Sequence, residues 1–172
     1  SPQWATCPII RGHGFHLIKD LQINYQTDWK NKLSKTIEHS YKKALYYSRF
    51  SEFIDMMLHS DEQFLSAYNI NNIISICEIL NIKTTFIKQS DLELTSDLYA
   101  TKLLINIVKA VGGEQYLCGG GAGGYQQDNV FEEEGIKLLY QDFLHPTYKQ
   151  QKTDDFQRGL SIIDVLFNCG VE

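Results

Sequence analysis

The strongest constraint on this chain is the alternation of strand-like and helix-like segments, punctuated by glycine, in its second half. Residues 84–88 are β-prone, 97–111 carry a helical period, 115–118 read as a strand, 128–134 as a short helix and 136–143 as a strand. The helical stretches stop at Gly112-Gly113 and at Gly135, because glycine takes up the left-handed conformation that ends a helix at least steric cost. Strands joined by helices pair in parallel through right-handed crossovers, and ligands in such sheets sit beyond the carboxyl ends of the strands. The expected fold is α/β: three layers around a mainly parallel sheet, with a βαβαβ C-terminal half.

The first half reads differently. Short β-prone runs at 4–10 and 16–23 flank the turn-like Arg11-Gly12-His13-Gly14 and predict a strand pair. From 28 to 47, Trp29, Leu33, Ile37, Tyr41 and Ala44 or Leu45 recur every three or four residues behind Thr27 or Asp28 as N-cap, which predicts an amphipathic helix. Further helical patterns at 53–59 and 63–80 make the middle of the chain helical. Residues 160–167 predict a terminal apolar helix started by Ser161, in which Asp164 reads as a first-turn acid facing the helix dipole rather than as a catalytic group. With 172 residues, 43% hydrophobic and 22% charged, the chain has the composition of a folded protein and is expected to form a single domain over 1–172.

Several function classes are disfavoured. The net charge is −5 and the lysines are scattered, so there is no electrostatic footprint for nucleic acid. No apolar run reaches the roughly 18–20 uncharged residues that a membrane-spanning helix needs. Cys7, Cys77, Cys118 and Cys169 form no CxxC pair, which argues against a zinc site and a disulfide scaffold and leads us to expect a reducing cytoplasm. His13 and His16 flank a glycine turn without a third ligand at metal-site spacing, and read as surface histidines.

The carboxyl ends of the three expected strands would share an edge carrying Gln89, Ser90 and Asp91, then the run 119–124, then Asp142, His145 and Tyr148. The glycine-rich run ending at Tyr125 permits positive φ and close approach of backbone N–H groups to an anion or amide. Gly119, Gly121 and Gly124 also spell GxGxxG ahead of Asp142, but the dinucleotide fingerprint needs a helix opening inside the run and the next helical signal starts at 128. His145 precedes Pro146, which favours an extended loop conformation where a general acid or base could act; the alternative is a loop histidine without a task. Cys118 is either a nucleophile or, more commonly for a lone cysteine, a small buried hydrophobe.

Ordered local matches then resemble one family. Trp29-Lys30-Asn31-Lys32 with Lys35-Thr36-Ile37 and Tyr41-Lys42-Lys43-Ala44 is similar to the segment WRKKHLKTIEQNYKKAPYF of WbqC-like proteins. Tyr116-Leu117-Cys118-Gly119 resembles the family's YLSG, 131–136 its FEEAGI, His145-Pro146-Thr147-Tyr148 its HPxY, and 160–170 its LSVIDLLFNCG. Leu80-Asn81-Ile82-Lys83-Thr84 keeps the frame of a Leu-Gly-Ile-Lys-Thr turn, with Asn as the other good C′ residue. Departures are Cys118 for Ser, the glycine run for a PSG or PGG turn, and Leu33 and Leu45 for His and Pro. The family's HQPNxxPW segment is not found before Trp4, so the chain is expected to be truncated N-terminally relative to the family.

The resemblance implies a role in bacterial surface polysaccharide (O-antigen) biosynthesis, with a transferase placing a glycyl or other acyl group on an amino sugar as the first expectation. For such chemistry His145 is the expected base and the amides of Gly119, Gly121 and Gly124 the expected donors to an oxyanion or phosphate; the glycine loop and the shared strand-end edge add Tyr125, Ser90, Asp142 and Tyr148 as expected ligand contacts. A sugar nucleotide or acyl donor is the implied partner, a homo-oligomer is compatible with it, and no cofactor is identified. The alternatives are a non-catalytic partner of a biosynthetic complex and a nucleotide-binding enzyme.

Overall fold

The computed structural model describes residues 2–14, 16–95, 97–120, 126–151, 153 and 155–171. Its elements are helices α1 (Trp29–Tyr41), α2 (Tyr47–Leu58), α3 (Leu65–Ile79), α4 (Ala100–Ala110), α5 (Asp128–Glu133) and α6 (Ile162–Cys169), strands β1 (Gln115–Gly119) and β2 (Lys137–Gln141), and 3-10 turns at Ile18–Asp20 and Gln89–Asp91. The chain divides into two compact units, Ser1–Thr84 with His145–Glu172, and Thr85–Leu144. Among the described residues no helix is long and apolar enough to cross a membrane.

In the first unit, the helical spacing of Phe50, Ile54 and Met57 turns one face of α2 onto Leu166 and Phe167 of α6. Leu166 and Phe167 are fully buried, and the Phe167 ring lies 5.1 Å from that of Tyr41 and 5.2 Å from that of Tyr47. A second cluster joins Ile23, Trp29 and Tyr68, with the Trp29 and Tyr68 rings edge-on at 6.0 Å.

Two expectations change here. The helix expected over 28–47 ends at Tyr41, and α2 starts at Tyr47 rather than 53. No glycine or proline marks this break; the Tyr46 N–H donates to the Phe167 carbonyl at 3.0 Å, so a partner distant in sequence takes the donor that a continuous helix would have used. The strand pair is reduced to an antiparallel bridge between Ile9 and Ile23, held by Ile10 N–H to Gln22 O at 2.9 Å and Asn24 N–H to Pro8 O at 2.8 Å. Pro8 has no N–H to donate, and residues 18–20 turn into 3-10 geometry, so the ladder cannot lengthen.

The second unit is a βαβ arrangement. β1 and β2 pair in parallel from Gln115↔Lys137 to Gly119↔Gln141, with α5 in the connection. Ile105 and Val108 of α4 bury against Phe131 and Ile136, and Tyr116 stacks on Phe131 at 5.3 Å and 5°. The mixed α/β class therefore holds, but residues 84–88 form no strand. β-propensity records fit to a half-buried pleated surface; Phe86 and Ile87 are 45% and 53% exposed and have no such surface here.

Candidate functional site

The terminal helix shapes the most developed site. Ser161 caps α6 by accepting a hydrogen bond from the Ile163 N–H at 3.4 Å, and this places Asp164 in the first turn, where the helix dipole favours a negative charge. Asp164 is nonetheless only 3% exposed. Its Oδ2 accepts from the Tyr148 hydroxyl at 2.7 Å and from Gln150 Nε2 at 3.0 Å. Gln150, itself buried, also ties its amide to the backbone of Gln157, donating to the carbonyl at 3.0 Å and accepting from the N–H at 2.7 Å. One glutamine thus closes the loop and orients the carboxylate.

Asp164 lines a cavity of about 470 Å³, within the usual range for small-ligand sites. One wall is a face of α1, where Leu33, Thr36, Ile37, Ser40 and Tyr41 recur at helical spacing; the other carries Gln150, Gln151, Gln157, Ser161 and Asp164. Gln151 Oε1 is buried and has no hydrogen-bond partner among the described residues. The described lining residues include no lysine, arginine or histidine.

The two phenols beside Asp164 are held in their neutral form. Burial first, then the Asp164 charge and hydrogen bond, raise Tyr41 far above the usual tyrosine range. Burial followed by the hydrogen bond to Asp164 pushes Tyr148 up to about 12. Each is a neutral hydrogen-bond donor, so the site offers hydroxyls, amides and one carboxylate, a set suited to a polyhydroxylated ligand.

The residues expected to share one strand-end edge fall in different units. His145 and Tyr148 belong to the first, and Ser90, Gly119 and Asp142 to the second; Gly121, Gly124 and Tyr125 lie outside the described residues. Tyr148 joins the cavity cluster through Asp164, while His145 is exposed. Ser90 donates to Asp91 Oδ1 at 3.2 Å, and Gly119 and Asp142 are exposed. Asp164 and Gln150 are the residues that sequence reasoning missed. A first-turn acid looks the same in sequence whether it faces water or a cavity, and nothing local marks Gln150.

At the strand ends of the second unit, Cys118 is buried, as a small hydrophobe would be, and its thiol donates to the Leu139 carbonyl at 3.5 Å. Gln126 Nε2 reaches Asp128 Oδ1 and the Tyr140 hydroxyl, each at 3.1 Å, and Tyr140 donates to Asp128 Oδ2 at 2.7 Å. The described helix that follows opens at Asp128; Gly121 and Gly124 of the GxGxxG pattern lie outside the described residues.

The model of the WbqC-like protein family matches residues 1–172. Over 172 residues, covering 99% of this chain and 73% of the relative, the chain is 27% identical to the uncharacterized protein Rv1507c of Mycobacterium tuberculosis (strain ATCC 25618 / H37Rv). No solved structure matches it. The chain belongs to the WbqC-like protein family.

Proposed function

We propose that this protein is a sugar-binding transferase of bacterial surface polysaccharide (O-antigen) assembly, placing a glycyl or other acyl group on an amino sugar held in the Asp164 cavity. The observation that carries this reading is the cavity itself, about 470 Å³, with a buried carboxylate, neutral phenols and amides converging on it. Sugar hydroxyls are at once donors and acceptors, and this lining meets both needs. Acyl transfer uses the neutral amine: the sugar nitrogen bonds to the acyl carbonyl carbon, the bond to the leaving group breaks with its electron pair going to that group, and nitrogen loses a proton; an acceptor that binds as an ammonium gives up one further proton before attack. His145, in the same unit as the cavity, is the proposed base. The reading includes a cytoplasmic setting, which four free thiols support.

The test is to incubate the protein with a nucleotide-activated amino sugar and glycyl or other acyl donors, and to follow the sugar by mass spectrometry. A mass increase equal to the acyl group, lost in Asp164→Asn and reduced at least about 100-fold in His145→Ala, is the expected result. Absence of any acylated sugar with all donors would overturn it.

One observation favours a second reading, a non-catalytic partner in a biosynthetic complex. Leu117 on β1 is 60% exposed, whereas parallel sheets are ordinarily covered on both faces. The same openness supports a larger, three-layer and mainly parallel sheet as the complete architecture. Sugar binding without turnover would favour this second reading.

A further inference from the structure

Resting on the sugar-binding reading above, we infer that Asp164 is the specificity-determining residue of the cavity, recognising a protonated primary amine on the ligand and rejecting both the hydroxyl and the N-acyl form at that position. Three observations lead there. Asp164 is 3% exposed, yet the donors on its Oδ2, Tyr148 and Gln150, are neutral. No basic side chain is present among the described lining residues. The Oε1 of Gln151, on the same cavity, is buried without a donor among the described residues.

A carboxylate removed from water is expensive unless it is both hydrogen-bonded and paired with a cation. Tyr148, Gln150, Tyr41 and the first turn of α6 supply hydrogen bonds and a favourable dipole, and none of these supplies a full positive charge. An ammonium group does, and its three N–H donors can serve the carboxylate and a neutral acceptor such as Gln151 Oε1 together. A hydroxyl brings no charge. An N-acyl amide has one N–H, no charge and added bulk, so the acylated product of the proposed reaction would be released from the group that held the acceptor.

Among the described residues, the titratable groups facing Asp164 are Tyr41, Tyr148 and Cys169, and burial raises all three. They keep their protons while the pH passes through the pKa of a sugar amine. A pH series therefore reads the charge on the ligand.

The experiment is calorimetric titration of the full chain with glucosamine, glucose and N-acetylglucosamine. Glucosamine is expected to bind tighter than the other two by about ten-fold or more, with the preference fading as the pH rises through the amine's pKa. In Asp164→Asn, checked for folding by circular dichroism, the preference should disappear while weak binding of all three remains. Should that variant unfold, the pH series on the unaltered protein decides by itself. Equal binding of the three sugars, or a preference that does not change with pH, overturns the ammonium inference and leaves the sugar site standing. No binding by any of them overturns the sugar-binding reading as well.

Discussion

Asp164 is buried where a carboxylate must be satisfied by its neighbours, and this makes its partners sensitive to change. Tyr148→Phe removes one donor from Oδ2 and is expected to lower stability by about 1–2 kcal/mol, measured by urea unfolding. The same phenol provides a pH signature. Its folded pKa is raised to about 12, above an unfolded value of about 10, so the native state retains the proton that the unfolded chain gives up. The corresponding stability is complete below about pH 10 and is lost as the pH rises through the folded value. Unfolding midpoints taken from pH 9 to 12 should fall with pH, and fall less steeply in Tyr148→Phe. Gly170 is sensitive for a different reason: its φ is +79°, and an added Cβ would lie 3.1 Å from the Tyr46 ring. Gly170→Ala should therefore destabilise by about 1–2 kcal/mol, again by urea unfolding.

The helix ends were legible as elements. Past α3, α4 and α5 the chain adopts one motif, in which the C″ and C′ N–H groups bond back to the C3 and C2 carbonyls. Ile82 N–H reaches Cys77 O and Asn81 N–H reaches Glu78 O; Gly113 and Gly112 pair likewise with Val108 and Lys109, and Ile136 and Gly135 with Phe131 and Glu132. Asn81, Gly112 and Gly135 all have positive φ, as their residue types indicate. Ser161 is equally readable as a cap, and Ser161→Ala should cost about 1 kcal/mol and loosen the turn that presents Asp164, seen as faster amide exchange at the start of α6. The break between α1 and α2 was not readable, because an apolar period runs through it and the bond that decides it comes from Phe167. Residues 84–88 had strand-like composition, and only their exposure shows that no surface receives them.

At the scale of the whole molecule, the second unit has a core of its own, with Phe131 central to it and fully buried. Phe131→Ala removes a ring packed on Tyr116 and is expected to destabilise by about 3–5 kcal/mol. Hydrogen exchange should report this first as lost protection in α4, β1 and β2. By itself, the amino-acid sequence determined what depends on neighbours along the chain: the helical periods, the caps and glycine stops, the βαβ segment from 115 to 141, and the ordered motifs of the family. Tertiary structure alone decided where the first long helix breaks, that the early strands pair through a single bridge, and that an acid of unremarkable sequence lies at a cavity. The physical reason is that local preferences amount to tenths of a kcal/mol up to about 1 per residue, whereas burial and the hydrogen bonds of a buried carboxylate are worth several times more and depend on residues brought together from 33–41 and 148–164.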